Sequence, residues 1–183
     1  ISRNRGRFLL NTMGVIFAIS LLVVSYFFND AFDYMKQSYY KEQKYDYTIR
    51  VNSPVKEGEL NILANIDGVI NVEAFLELPV RFTYEGKSEE DIISAYSPNM
   101  QLKKISNKKG ESLAIPEEGI LLNENLAEKL GVSVGSEIEL ETLLPNSPTR
   151  PNTVKVVGIS HQLFGSANYM ALLSANKLLN EKD

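Results

Sequence analysis

The chain's single histidine, His161, follows Ser160, and a hydroxyl beside an imidazole is the combination that nucleophilic catalysis uses. Adjacency along the chain does not build that pair. Nucleophile, base and orienting group are assembled by geometry, and Ser160 lacks the glycine-flanked turn that would present its hydroxyl. Glu89, Glu90 and Asp91 form an acidic cluster ahead of a strand, and three carboxylates in succession read as solvated surface rather than as a paired acid and base. One histidine and no cysteine make a poor metal set, because structural zinc takes about four ligands and catalytic zinc usually three. No Gly, four residues, Gly, Lys, Ser/Thr pattern occurs, so ATP is not held by a P-loop. The expectation is a chain with no catalytic residues, cofactor or metal of its own.

The elements around these residues point elsewhere. From Phe8 to Phe28 no residue is charged. As a helix this run extends roughly 30 Å, the thickness of a hydrocarbon core, so residues 8–28 read as a transmembrane helix in contact with lipid. A secretory signal would have a shorter apolar core and a small-residue cleavage site, whereas the exit here is Phe27, Phe28, Asn29, Asp30, Ala31, Phe32. Arg3, Arg5 and Arg7 crowd the entry while Asp30 and Asp33 follow the exit, and basic flanks stay on the cytoplasmic side. Residues 1–7 are therefore expected inside the plasma (inner) membrane and the rest of the chain outside it. Without those three arginines, 16 Lys and Arg face 23 Asp and Glu, an external charge of about −7 that disfavours nucleic acid or an anionic lipid surface as partner. Beginning at Ile1, the sequence reads as part of a longer protein, truncated at its C-terminus.

Gly14, Ala18, Leu21, Ser25, Phe28, Phe32, Met35 and Tyr39 recur at spacings of three and four, one helical face that continues past the bilayer as a stalk over 29–44. Within the span the face is small and suited to close helix packing; beyond it the face turns aromatic and needs a cover. That cover is another stalk helix, or else the stripe packs back on its own domain. The remaining residues, 45–183, read as one α+β domain. "YDYTIRV" (45–51) alternates like a first strand, ended by Pro54. Residues 57–66 read as a helix closed at Asp67-Gly68, and Val69–Gly86 as two strand segments or one edge strand bent at Pro79. "EDIISAYS" is a further strand, and 98–116 a mobile excursion or small subdomain. Then come Ile120–Leu122 extended, Asn123 as N-cap, Leu126, Ala127 and Leu130 on a helical face, Gly131 as its stop, and Ile138 and Leu140 alternating. A proline-stiffened loop (Pro145, Pro148, Pro151), the strand "TVKVVGIS" and a helix from Ser174 complete the order.

The basic entry, the first span "MGVIFAISLLVV", "YDYTIRV", "DGVINVEAFLELPVRF", "GILLNENLAEKLGVSVGSEIEL" and "KVVGI" together resemble the FtsX-like, MacB-type ABC transporter permeases over nearly the whole chain. The most specific stretch is Leu126 to Val132 followed by Val134-Gly135-Ser136, with Ser136 where the family commonly has aspartate. "FLELPVRF" and "SANYMALLSANKLL" are most similar to the large two-half members of about ten spans. The resemblance implies a MacB-like periplasmic core domain in a permease that pairs with a cytoplasmic ATPase subunit and with a second permease half or twin. It also implies export or extraction of a lipid, lipoprotein or peptide. The alternative is a membrane-anchored ligand-binding or sensor ectodomain, which would share the span, the acidic α+β domain and the lack of catalytic residues.

The arginine asymmetry generates a direct test of topology. A cysteine introduced at Ser106 should react with a membrane-impermeant reagent in intact cells, and one introduced at Ser2 should not; the opposite pattern would invert the orientation.

Overall fold

The computed structural model of the chain describes residues 4–51, 57–145, 151–162 and 168–180. Arg3, Pro54 and Pro148, singled out in the sequence, lie outside the described residues. Helix α1, Arg5–Glu42, runs for 38 residues, roughly 57 Å at the helical rise. It is long and apolar enough to cross a membrane. The contact pattern separates residues 1–41 from a second unit, residues 42–183.

The second unit is built on a barrel. Its strands are β1 (Phe75–Tyr84), β2 (Lys87–Tyr96), β5 (Ile120–Asn123), β6 (Glu137–Thr142), β7 (Asn152–Ser160) and β8 (Asn168–Ala171), and the order β1-β2-β8-β5-β7-β6 closes on itself. Closure is made by β1, which pairs antiparallel with β2 along its length and with β6 from Val80↔Thr142 to Thr83↔Glu139. Two neighbours are parallel, β2 with β8 and β5 with β7. Two short strands, β3 (Ile105–Ser106) and β4 (Ser112–Leu113), form a separate ladder. Helices α2 (Glu57–Ala64), α3 (Glu124–Leu130) and α4 (Leu172–Asn180) complete the set among the described residues.

Alternation decides which side chains enter the core. Leu78, Val80 and Phe82 of β1, Ile120 and Leu122 of β5, and Ile138 and Leu140 of β6 are buried, together with Leu126, Ala127 and Leu130 of α3 and Ala175 and Leu178 of α4. Tyr96, Ile105, Ile115, Leu121, Tyr169 and Ala171 form a second cluster. Strands β5 and β8 thus contribute to both clusters, which explains their continuous apolar composition. The segment 98–116 carries the β3–β4 ladder and sends Ile105 and Ile115 into that second cluster.

Helix α3 forms for reasons visible in its residues. The Asn123 side chain accepts from the Asn125 amide, and Gly131, at φ 78°, takes the left-handed cap with its amide directed at the carbonyls of Ala127 and Glu128. Ser136 keeps the function of a turn acceptor, its hydroxyl receiving the Ser133 amide at 3.3 Å. At the β1–β2 hairpin, Glu85 and Gly86 have φ of 47° and 80°, the conformations a two-residue turn with the right twist requires.

Four expectations are corrected. "YDYTIRV" has the alternation of a strand but no ladder partner along 45–51; alternation prescribes a face and cannot supply a neighbour. β1 is one strand paired on both sides, neither interrupted nor at an edge, and residues 69–74 are not strand. Pro79 is accommodated because it falls where the β6 ladder stops: its carbonyl still accepts the Leu143 amide, and its missing N–H costs only the reciprocal bond. The acidic cluster Glu89-Glu90-Asp91 lies within β2 rather than ahead of it, and α4 begins at Leu172, two residues before Ser174.

Gly119 separates two kinds of glycine requirement. Its φ is 87°, and a Cβ there would lie 2.6 Å from the Lys155 carbonyl oxygen and 2.8 Å from Val157 Cγ1. Gly135, at φ 98°, has open space around the same position. Gly135→Ala should cost only the left-handed backbone penalty, about 1–2 kcal/mol. Gly119→Ala should add a backbone overlap and total about 2–5 kcal/mol, read as the shift in urea midpoint. Equal losses would mean that the close approach at Gly119 relaxes freely.

Candidate functional site

The eight stripe residues all lie on α1, none of whose residues is buried. Gly14 would leave a Cβ in open space, and Leu21, Phe28 and Phe32 are more than half exposed. Met35 is half-buried, and Tyr39 meets Tyr40 edge-on with ring centroids 5.9 Å apart. Arg5 and Arg7 occupy the exposed first turn of this helix.

In the second unit the chemically suggestive side chains take separate partners. Ser160 is buried and donates to the Leu122 carbonyl at 3.4 Å, while the His161 ring meets Glu124 through Nδ1, 2.7 Å from Oε2. Glu124 also receives Lys108 Nζ at 2.8 Å. The hydrogen bond from Lys108, followed by that from His161, holds the Glu124 carboxyl below its ordinary range. The acidic cluster likewise splits. Glu89 faces Lys129, Glu90 pairs with Arg81, and Asp91 accepts from the Asn168 side chain at 2.8 Å.

Asn168 is itself fully buried. It donates to Asp91 and to the Ile92 carbonyl and accepts from the Asn123 amide, joining β8 to β2 and to the start of α3. A polar side chain opening an apolar run was a signal for such a staple, since buried amides need partners.

The second cluster holds a cation. Lys103 Nζ lies 5.4 Å from the Tyr96 ring centroid and 5.0 Å from that of Tyr169, and 3.5 Å from the Tyr96 hydroxyl. The Tyr169 hydroxyl donates to Gln162 Oε1. Burial pushes Lys103 below the usual lysine range, opposed by the charges of Glu42 and Glu77. Burial also drives both phenols well above theirs. Beside this cluster, Glu42 accepts the Lys104 amide at 2.7 Å and Lys44 donates to the Leu102 carbonyl at 2.8 Å, flanking a bridge between Gln43 and Lys103. No sequence signal marked Lys103, because its neighbours come from distant parts of the chain.

The model of the MacB-like periplasmic core domain family matches residues 8–182, so the match takes in both the apolar helix and the barrel. The chain belongs to that family. It is an extracytoplasmic domain of the MacB-type ABC permease class, anchored to the membrane by α1. No curated protein matches the chain. In this MacB-like domain the polar groups described above act as fasteners between its strands.

The tyrosines set an alkaline limit on the MacB-like barrel. A folded-state pKa raised above the unfolded value of about 10 gives stability that is complete below pH 10 and lost as pH rises. Each buried phenol should contribute a slope of about 1.4 kcal/mol per pH unit above that point. Tyr169→Phe should therefore flatten the fall in unfolding free energy between about pH 10 and 11.5. An unchanged slope would mean that Tyr169 ionises in the folded barrel.

Proposed function

We propose that this domain is a moving part of an ABC exporter: α1 enters from the cytoplasm, crosses the plasma (inner) membrane and carries displacement to the barrel outside. ATP hydrolysis by a separate cytoplasmic subunit supplies the motion, and the cargo is a lipid, lipoprotein or peptide. The domain performs no catalysis of its own and binds no nucleic acid. The stripe from Gly14 to Tyr39 packs on a helix of the other permease half or twin subunit.

The observation that carries this reading is the family match extending across an α1 that is a single helix from Arg5 to Glu42. Beyond Gly14 that helix contains no glycine or proline, the usual causes of a hinge, so a displacement at one end reaches the other. The exposed Phe28 and Phe32 support the packing role, because such side chains gain roughly 1.5–3 kcal/mol each when removed from water.

Inserting a flexible Gly-Ser segment after Asp30 in the full-length permease tests the reading. Barrel folding and ATPase association should persist while export-dependent activity is lost, because a flexible joint dissipates displacement. Full activity with the insertion in place would reduce α1 to an anchor.

A further inference from the structure

Two routes lead from the end of α1 into the barrel. The covalent route is residues 45–74, in which α2 is the sole helix or strand among the described residues. Tyr47, Ile49, Val51, Ile62, Ile66 and Ile70 are exposed along it. Its Arg50–Glu77 ion pair joins side chains open to solvent, a class of contact worth little. Most apolar side chains among its described residues are exposed, and segments of that kind open most easily.

The second route is much shorter. At the point where α1 ends, the Glu42 carbonyl accepts the Lys104 amide, the Glu42 carboxylate accepts the Ser106 hydroxyl at 2.7 Å, and the Lys44 amide donates to Leu102. Residues 42–44 thereby lie antiparallel to 102–104, which lead directly into β3. The other side of this segment is fastened to the barrel. Lys103 sits between Tyr96 of β2 and Tyr169 of β8, Ile105 is buried in the second cluster, and the Ser106 carbonyl accepts the His161 amide just beyond β7. Glu73, two residues before β1, accepts the amides of Gln101 at 2.7 Å and Leu102 at 3.1 Å. Charge-assisted bonds of this kind are among the stronger ones a surface segment makes.

We propose that residues 101–106 form a mechanical strap that passes displacement of the end of α1 directly into the barrel, bypassing residues 45–74. This deepens the exporter reading by naming where motion enters the domain, and its test needs no ATPase, so either can fail alone.

Force spectroscopy on the full chain in lipid nanodiscs, with handles on non-cysteine click residues at Gln37 and Glu139, measures the strap. Its rupture should release residues 45–74 as one early step, on the order of 100 Å of added length at ~3.4 Å per extended residue, before the barrel unfolds. Gln43 and Lys103 form a non-hydrogen-bonded antiparallel pair, where Cα atoms lie about 4.5 Å apart, within disulfide reach. In the Gln43→Cys/Lys103→Cys variant the early step should vanish on oxidation and return on reduction. Ser106→Ala with Glu73→Gln should lower the rupture force and leave the barrel step unchanged. Absence of a step of that length, or its persistence in the oxidised variant at an unchanged barrel force, would overturn the strap.

Discussion

The second unit depends on β1 having a partner on each side. Its ladder to β2 is a local hairpin, while its ladder to β6 joins residues far apart in the chain and turns a sheet into a closed barrel. Closure gives every barrel strand a neighbour on each side, which limits the open backbone edge through which extracytoplasmic domains could associate. It also fixes the alternation of every strand relative to one interior, so Leu78, Val80 and Phe82 can meet Ile138 and Leu140. Pro79 marks the limit of that pairing: one residue earlier the β6 ladder has ended, and a missing amide costs little.

Parallel pairs within the barrel impose connections that cross it. β5 and β7 are parallel, and the chain between them supplies α3 and β6. The short turn at Gly135 lets that path stay compact, and Gly135 donates its amide to the Val156 carbonyl at 2.7 Å to hold the turn against β7. Where β2, β8 and β5 meet, a fully buried Asn168 of β8 replaces an apolar residue and satisfies groups from both β2 and β5. Removing its amide would break all three bonds at once, which is how one polar residue favours this strand order within a predominantly apolar core.

The apolar residues of 45–70 follow a different logic. Their pattern is that of elements with a buried face, yet Tyr47, Ile62 and Ile70 are open to solvent. The strand-like alternation of "YDYTIRV" and the amphipathic spacing of α2 therefore describe local preference without the packing that would complete it. The polar residues sort the same way. Ser160, His161 and the acidic cluster were chemically suggestive in order of sequence, and each took a separate partner once the strands assembled.

The sequence by itself determined the elements whose causes are local. An uncharged run of sufficient length made α1, Asn123 and Gly131 bounded α3, Glu85-Gly86 turned β1 into β2, and the Leu-Gly-Val and Val-Gly-Ser steps carried the family resemblance. Tertiary structure alone decided the rest: that the strands close, that Pro79 lies at the end of a ladder, that Lys103 is held between Tyr96 and Tyr169, and that 101–106 meets Glu42 and Glu73. The physical reason is that capping, turn conformation and hydrophobic period act within a few residues, whereas a ladder partner or an aromatic neighbour depends on which distant segments are brought together when the interior is filled.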